Sequence, residues 1–249
     1  MPTIERYKLD LSAPHVRYLN AAGKRLPGVT TVLGVLGKDA LIEWAAREER
    51  DAIVRLLNTY DHASQILNLI PEPYAYTVKR DRAADIGSVC HARIHAYSRG
   101  MELDEEGLPP EAVDKSMNGF IRWHDWFKGE GLNVVASELP LVSEAMQVGG
   151  TLDIVAASSS GLTLCDVKSS NPHPRWPWDE VVGQVAAYAM IWNETHGDRI
   201  ARCCSYRCGK TEGDAGQVAW FTGAQMDAGA DLFRAALAAY RAKSALGRA

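Results

Sequence analysis

Apolar and polar positions alternate at two distinct periods along this chain, helical before Gly131 and extended for a stretch after it. Val16-Arg17-Tyr18-Leu19 and Lys24-Arg25-Leu26 flank an Asn20–Gly23 cluster with turn chemistry. That pattern predicts a short hairpin closed by Pro27-Gly28. Thr30 or Thr31 is placed to cap a helix through Val32, Leu33, Val35 and Leu36, which Gly37 interrupts. Over 41–60, Leu41, Trp44, Ala45, Ile53, Val54, Leu56 and Leu57 share one side and Glu48, Glu49, Arg50 and Asp51 the other. This predicts a helix with its apolar side inward. Pro71-Glu72-Pro73 breaks the next segment, and helices are expected over 85–99, stopped by Gly100, and over 112–129, rich in rings at Phe120, Trp123, Trp126 and Phe127.

Residues 132–141, 147–157 and 162–168 are short, β-branched and separated by turn residues, so they read as a three-strand meander. A helix over 179–194, strands over 201–208 and 217–222, and an Ala-rich helix over 225–246 complete the chain. Without an internal repeat or a convincing linker, the order predicts one α/β domain over 1–249. Its parts are an N-terminal hairpin and helices (1–78), a core (79–222) and a terminal helix (223–249). Its central mixed sheet contains the antiparallel meander and is flanked by helices.

Composition narrows the class without naming a chemistry. With 249 residues, 47% hydrophobic and 23% charged, the chain is long and apolar enough to bury a sizeable core, which excludes disordered and fibrous classes. The longest mostly apolar stretch, Val181–Trp192, contains Gln184 and is too short to span a bilayer. The first residues hold no signal-peptide core, so a cytoplasmic protein is expected, without a membrane partner. Five cysteines without a C-x-x-C pair point to reduced thiols rather than a disulfide framework or a thiolate zinc site. A net charge of −4 shows no global footprint of a nucleic-acid binder, so any polyanion site must draw on local positive charge.

The informative stretch is Gly149-Gly150-Thr151-Leu152-Asp153 followed by Leu164-Cys165-Asp166-Val167-Lys168. A turn symmetric about residues 159–160 sets Asp153 directly opposite Asp166, and two like charges facing across strands repel unless a cation sits between them. Lys168, two residues on, shares the face of Asp166. Two carboxylates and an ammonium at one point suit metal-assisted phosphodiester hydrolysis, with Mg²⁺ or Mn²⁺ rather than zinc as the ion. Only Lys168 of the nine lysines has an acid two residues before it, and composition alone yields such a string about once in a chain of this size. The triplet therefore informs through its position on paired strands, and a surface ion cluster is the alternative reading.

The lone Asp153 on one strand and Asp166-Val167-Lys168 on the next resemble the core motif of the PD-(D/E)XK nuclease superfamily. Gln184-Val185-Ala186-Ala187-Tyr188 resembles the Gln-x-x-x-Tyr helix of its RecB-type exonuclease branch, and Gly87-Ser88-Val89-Cys90-His91 its Gly-x-x-x-His helix. The four motifs stand in family order over about residues 87–190. A shorter match, Pro27-Gly28-Val29-Thr30-Thr31-Val32-Leu33 with Trp44 after it, is similar to the start of phage exonucleases and of mitochondrial genome maintenance exonucleases in that branch. The resemblance implies a restriction-endonuclease-like core. It also implies a deoxyribonuclease acting on single-stranded or end-containing DNA in recombination, repair or phage DNA processing, alongside a recombination or single-strand-binding protein.

On this reading Asp153, Asp166, His91 and the Val167 carbonyl hold the metal, and Lys168 orients or deprotonates the attacking water. His95, one turn beyond His91, is a rival ligand or a phosphate contact. A turn near residues 145–146 brings Glu138 alongside Asp153, as a further carboxylate of the cluster, an exposed strand acid or a base acting from behind the metal ligands. Gln184 and Tyr188, four apart on one helix face, reach the phosphate or hold Lys168, unless they only pack. Arg175, Trp176 and Trp178, just after Lys168, offer a guanidinium and two indoles to a single strand, or form a hydrophobic latch; Arg93 lies in a second basic strip. Cys165 points away from Asp166 into the core, and the spacing of Cys203, Cys204 and Cys208 disfavours an iron–sulfur cluster. Two other classes stay open: a nucleic-acid-binding module that has lost the chemistry, and a metal hydrolase of a small substrate.

Overall fold

The computed structural model describes residues 5–13, 16–37, 39–60, 62 and 74–247. The chain divides into two compact units, Gly37–Asp85 on the one hand and Met1–Leu36 with Ile86–Ala249 on the other. The predicted break at Pro71–Pro73 lies outside the described residues.

In the larger unit, β1 (Arg6–Lys8) pairs in parallel with β4 (Glu102–Asp104), and β2 (Tyr18–Leu19) with β3 (Arg25–Leu26) as the predicted hairpin. Helix α1 spans Val29–Leu33, followed by a 3-10 turn at Gly34–Leu36 and by Gly37 at φ +73°. Its N-cap is Gly28, which has no side chain to offer, so Thr30 and Thr31 lie inside the helix rather than capping it. Gly28 is held there because its strand bridges to Gly149 of the central sheet.

That sheet has the order β5-β6-β7-β8-β9. Strands β5 (Asn133–Ser143), β6 (Val148–Ser158) and β7 (Gly161–Ser169) form the antiparallel meander. Helix α5 (Asp179–Thr195) then carries the chain to β8 (Ile200–Cys208), which runs parallel to β7, and β9 (Gln217–Phe221) returns antiparallel. The fold is therefore α/β with a mixed central sheet. Terminal helix α6 (Gly223–Ala245) begins two residues earlier than its apolar pattern suggested. Thr222 accepts the Gln225 N–H while the Gln225 side chain accepts the Thr222 N–H, which fixes the start.

One sheet face packs Leu164, Val155 and Cys203 against α1, α5 and α6 through Val32, Val185, Ile191 and Phe233. The other packs Ile154, Cys165, Val167 and Cys204 against α3 (Ala75–Ser98) and α4 (Pro110–Gly129) through Cys90, Ile94, Trp123 and Phe127. Cys165 is core, as its strand position implied, and all five cysteines are free and buried. Helix α3 starts ten residues before the expected Asp85. Its first turns are rich in Ala, Lys and Arg, good helix formers that leave no amphipathic trace.

In the smaller unit, α2 (Asp39–Leu57) buries only part of the expected side, with Trp44, Ala45 and Leu56 half-buried. Leu41, Ile42 and Leu57 are exposed, at 51, 70 and 56%. Trp44 meets Tyr76 edge to face, Glu49 accepts the Tyr76 N–H and Glu48 pairs with Lys79. The first turn of α3 carries unsatisfied amides and a lysine, so carboxylates rather than aliphatic side chains are drawn to it.

Candidate metal centre

The site forms where β6 and β7 part. Their ladder runs from Ser158↔Gly161 to Ile154↔Cys165, the register predicted from the turn, and the next pair in line would be Asp153 and Asp166. Here the pleat changes phase. Leu152 packs on the α5 face and Ile154 on the α3–α4 face, although residues two apart on an unbroken strand share one face. The irregularity falls on Asp153, whose Oδ2 accepts the Val167 N–H at 2.7 Å. On the other side of β6, Ser137↔Ile154 and Leu139↔Leu152 bracket Glu138 opposite Asp153. Glu138 itself has φ +47°, the left-handed region that costs a non-glycine residue free energy and recurs at functional sites. Two adjacent strands thus break their regularity at the same point.

His91, on α3, fills the opening. Its Nδ1 lies 3.0 Å from Glu138 Oε1 and 3.6 Å from Asp153 Oδ1, and its Nε2 3.1 Å from the Val167 carbonyl. One ligand-capable atom each of His91, Glu138 and Asp153 falls within 4.8 Å of the others. Burial pushes the imidazole toward neutrality, but the Asp153 and Glu138 carboxylates outweigh it and raise its pKa to about 10. Burial also pushes Asp153 up to about 7, with Asp166 and Glu138 adding repulsion against the attraction of His91. Both ring nitrogens face acceptors, so an imidazolium proton neutralises the cluster. One imidazole, two carboxylates and a main-chain carbonyl are a mostly hard donor set, and they fit a divalent cation in place of that proton.

Asp166 is set apart from these three. Its side chain is fully buried, with Oδ1 on Lys168 Nζ at 2.7 Å and Oδ2 accepting from Ser205 Oγ at 3.0 Å. Both oxygens are engaged, by an ammonium and a hydroxyl. Burial would strip Lys168 of its proton, but Asp166 and then Asp153 more than compensate and raise its pKa, so the amine is an ammonium at neutral pH. In that state it can orient an anion or a water. Ser205 escaped the sequence reading. Its only trace is a hydroxyl in the apolar run Cys203-Cys204-Ser205-Tyr206, and its value depends on the parallel register Asp166↔Ser205.

Gln184 and Tyr188 approach from α5, where Gln184 Nε2 donates to the Tyr188 hydroxyl at 3.1 Å. Burial, then Asp153 and Asp166, hold that phenol well above its usual range, which places it beside the carboxylates. The two glycines ahead of Asp153 are explained by rings on opposite faces of β6. A Cβ on Gly149 would run into Cγ of Tyr18, and one on Gly150 into Cε1 of Tyr188. Tyr18, also missed from sequence, further bonds Thr151 Oγ1 through its hydroxyl at 3.0 Å. Gly150→Ala is expected to destabilise the protein by about 1–3 kcal/mol through overpacking. Thermal unfolding of that variant checks it, and an unchanged midpoint would mean Tyr188 is not seated on the strand.

His95 stands outside the three-residue cluster, with Nδ1 2.7 Å from Ser137 Oγ and its ring edge-on to Tyr7. Two sequence-based contacts need correction. Arg93 is 7% exposed, and its guanidinium is taken up by Glu105, Ser116 and the Val113 carbonyl, so it offers no exposed phosphate contact. Trp176 is 5% exposed and belongs to the core rather than to a stacking platform. Trp178 is half-buried against His173, and Arg175 is exposed. Helix α3 turns Arg93 inward because it lies two residues from His91, on another side of the helix, where α4 supplies acceptors.

No protein-family model matches this chain, and no curated protein sequence does. Among solved structures, it is similar to a protein from Eubacterium rectale provisionally named an exonuclease, at 12% identity and a TM-score of 0.40. That likeness covers 59% of this chain and 63% of the other. It is also similar to the protein SSO0001, at 12% identity and a TM-score of 0.30 over 61% of this chain and 73% of that one. No helix among the described residues is long and apolar enough to cross a membrane.

Proposed function

We propose that this protein is a metal-dependent nuclease with a restriction-endonuclease-like core that hydrolyses phosphodiester bonds in DNA, as an exonuclease on single-stranded or end-containing substrates. One observation carries the reading: His91, Glu138, Asp153 and the Val167 carbonyl converge at the break between β6 and β7, with the Lys168 ammonium held next to them. Those four groups would hold the ion, and Mg²⁺ or Mn²⁺ would supply Lewis-acid charge beside the scissile phosphate. Asp166 and Ser205 fix the Lys168 amine, which hydrogen-bonds the attacking water or a phosphate oxygen and steadies the charge that grows there. Tyr188, a neutral donor at physiological pH, is available to a second oxygen.

The motif order along the chain supports DNA over a small substrate. So does the exposed Arg175 in the loop that follows β7, although the neighbouring Trp176 no longer contributes. Incubation of the purified chain with 5′- and 3′-labelled single strands and duplexes in Mg²⁺ or Mn²⁺ is expected to release short products, and EDTA to stop it. Binding without metal-dependent cleavage would favour the inactive module. Hydrolysis of small phosphodiesters that DNA fails to compete would favour the small-substrate enzyme.

A further inference from the structure

We infer that the β2–β3 hairpin is a guide for the DNA phosphate backbone at the mouth of the metal centre. The inference deepens the nuclease reading and rests on it. The hairpin has two unlike faces. Tyr18 and Leu26, paired across it, turn inward, where Leu26 is buried and Tyr18 packs on Gly149. Leu19 and Arg25, the next pair, turn outward and are exposed, as are Arg17 and Lys24. The outer face therefore presents Arg17 and Arg25 around Leu19, which is 53% exposed, and Lys24 is exposed at the turn next to them.

None of the three cationic groups has an ion pair or hydrogen bond from its side chain among the described residues. The nearby Glu144 carboxylate is spent on the Ala21 N–H and on Gln147. Unpaired cations at three of nine successive positions stand out on a chain of net charge −4. They supply the local positive charge that a polyanion site on this protein requires.

The hairpin is also fixed in place. Asn20 Nδ2 donates to Gln147 Oε1 at 2.8 Å, Tyr18 bonds Thr151, and the Gly149 N–H donates to the Pro27 carbonyl at 3.0 Å. All three anchors lie on β6 or the turn before it, and Thr151 stands two residues from Asp153 on that strand. A backbone held on the outer face therefore passes within a few nucleotides of His91, Glu138 and Asp153. Neither the loop at Arg175 nor the buried Arg93 provides a comparable set.

The test is DNA binding by the full chain in EDTA, followed by fluorescence anisotropy on a labelled single strand over a salt series, with a duplex of the same sequence as a second arm. The triple variant Arg17→Gln, Lys24→Gln, Arg25→Gln is compared with a control triple, Lys128→Gln, Arg234→Gln, Lys243→Gln, that makes the same charge change elsewhere. Each phosphate contact adds a slope of about 0.7 in log K against log salt for a single strand, so the hairpin triple is expected to lose a slope of about 2 and to bind about 100-fold more weakly at 0.1 M salt. Its unfolding midpoint should stay close to wild type, because the substituted side chains are exposed. Wild-type affinity and slope in the hairpin triple, or an equal loss in the control, would overturn the guide role. If cleavage persists in either case, the nuclease reading survives that failure. If the wild type neither binds nor cuts DNA, both fall.

Discussion

Asp153→Asn is expected to abolish metal-dependent hydrolysis, with a loss on the order of 10³-fold or more, while the protein keeps its unfolding midpoint. Asp153 sits at the centre of the cluster, 3.6 Å from His91 Nδ1 and in line with Glu138 across β6. Removing one anionic ligand withdraws several kcal/mol of charge stabilisation from the transition state, and each 1.4 kcal/mol is about tenfold in rate. Stability is spared because the asparagine carbonyl still accepts the Val167 N–H, and because burial already disfavours the Asp153 charge. Calorimetric titration with Mn²⁺ should show the matching loss of affinity. Activity within tenfold of wild type would move the metal centre elsewhere.

Lys168→Met separates holding the ion from using it. Hydrolysis should fall by about 10²–10⁴-fold, the usual scale for a positioned group that acts on the nucleophile, while Mn²⁺ affinity changes little. The variant also exposes the part played by Asp166. With its lysine gone, that fully buried carboxylate keeps only Ser205, and an uncompensated buried charge destabilises by several kcal/mol. The double variant Lys168→Met with Asp166→Asn should therefore regain stability without regaining activity. If Asp166→Asn alone removes Mn²⁺ binding as completely as Asp153→Asn, Asp166 is a direct ligand and its bond to Lys168 rearranges on loading.

The two predictions separate residues that one motif grouped together. Asp153, Asp166 and Lys168 read as a triplet in sequence. In three dimensions His91, Glu138 and Asp153 make one set, and Asp166, Lys168 and Ser205 another beside it. The line between them follows the strand irregularity at Asp153. A phase change in the pleat directs that carboxylate toward α3, whereas Asp166 stays in the regular ladder with Ser205 on β8.

Local geometry made much of this legible in advance. A tight turn between β6 and β7 leaves one register, so the facing of residues 153 and 166 followed from counting. The turn before β6 likewise placed Glu138. The meander, α4, α5 and the hairpin followed from hydrophobic period and turn residues, which depend on neighbours a few positions away. The early start of α3 left no such mark, because its first turns bury no apolar stripe.

What the chain order could not decide is which partner each outward or inward side chain meets, since that is set by segments far apart in sequence. Arg93 is drawn inside by Glu105, Ser116 and Val113, and Trp176 is enclosed by the core. Carboxylates of α2 turn toward Tyr76 and Lys79 and leave most of its aliphatic side chains exposed. Ser205 takes the oxygen of Asp166 only because a parallel strand lands beside it. By itself the sequence determined the strands of the meander, their register and the types of group brought to one edge of the sheet. Tertiary packing decided which of those groups face one another closely enough to share an ion, because desolvation and charge pairing depend on everything that surrounds them.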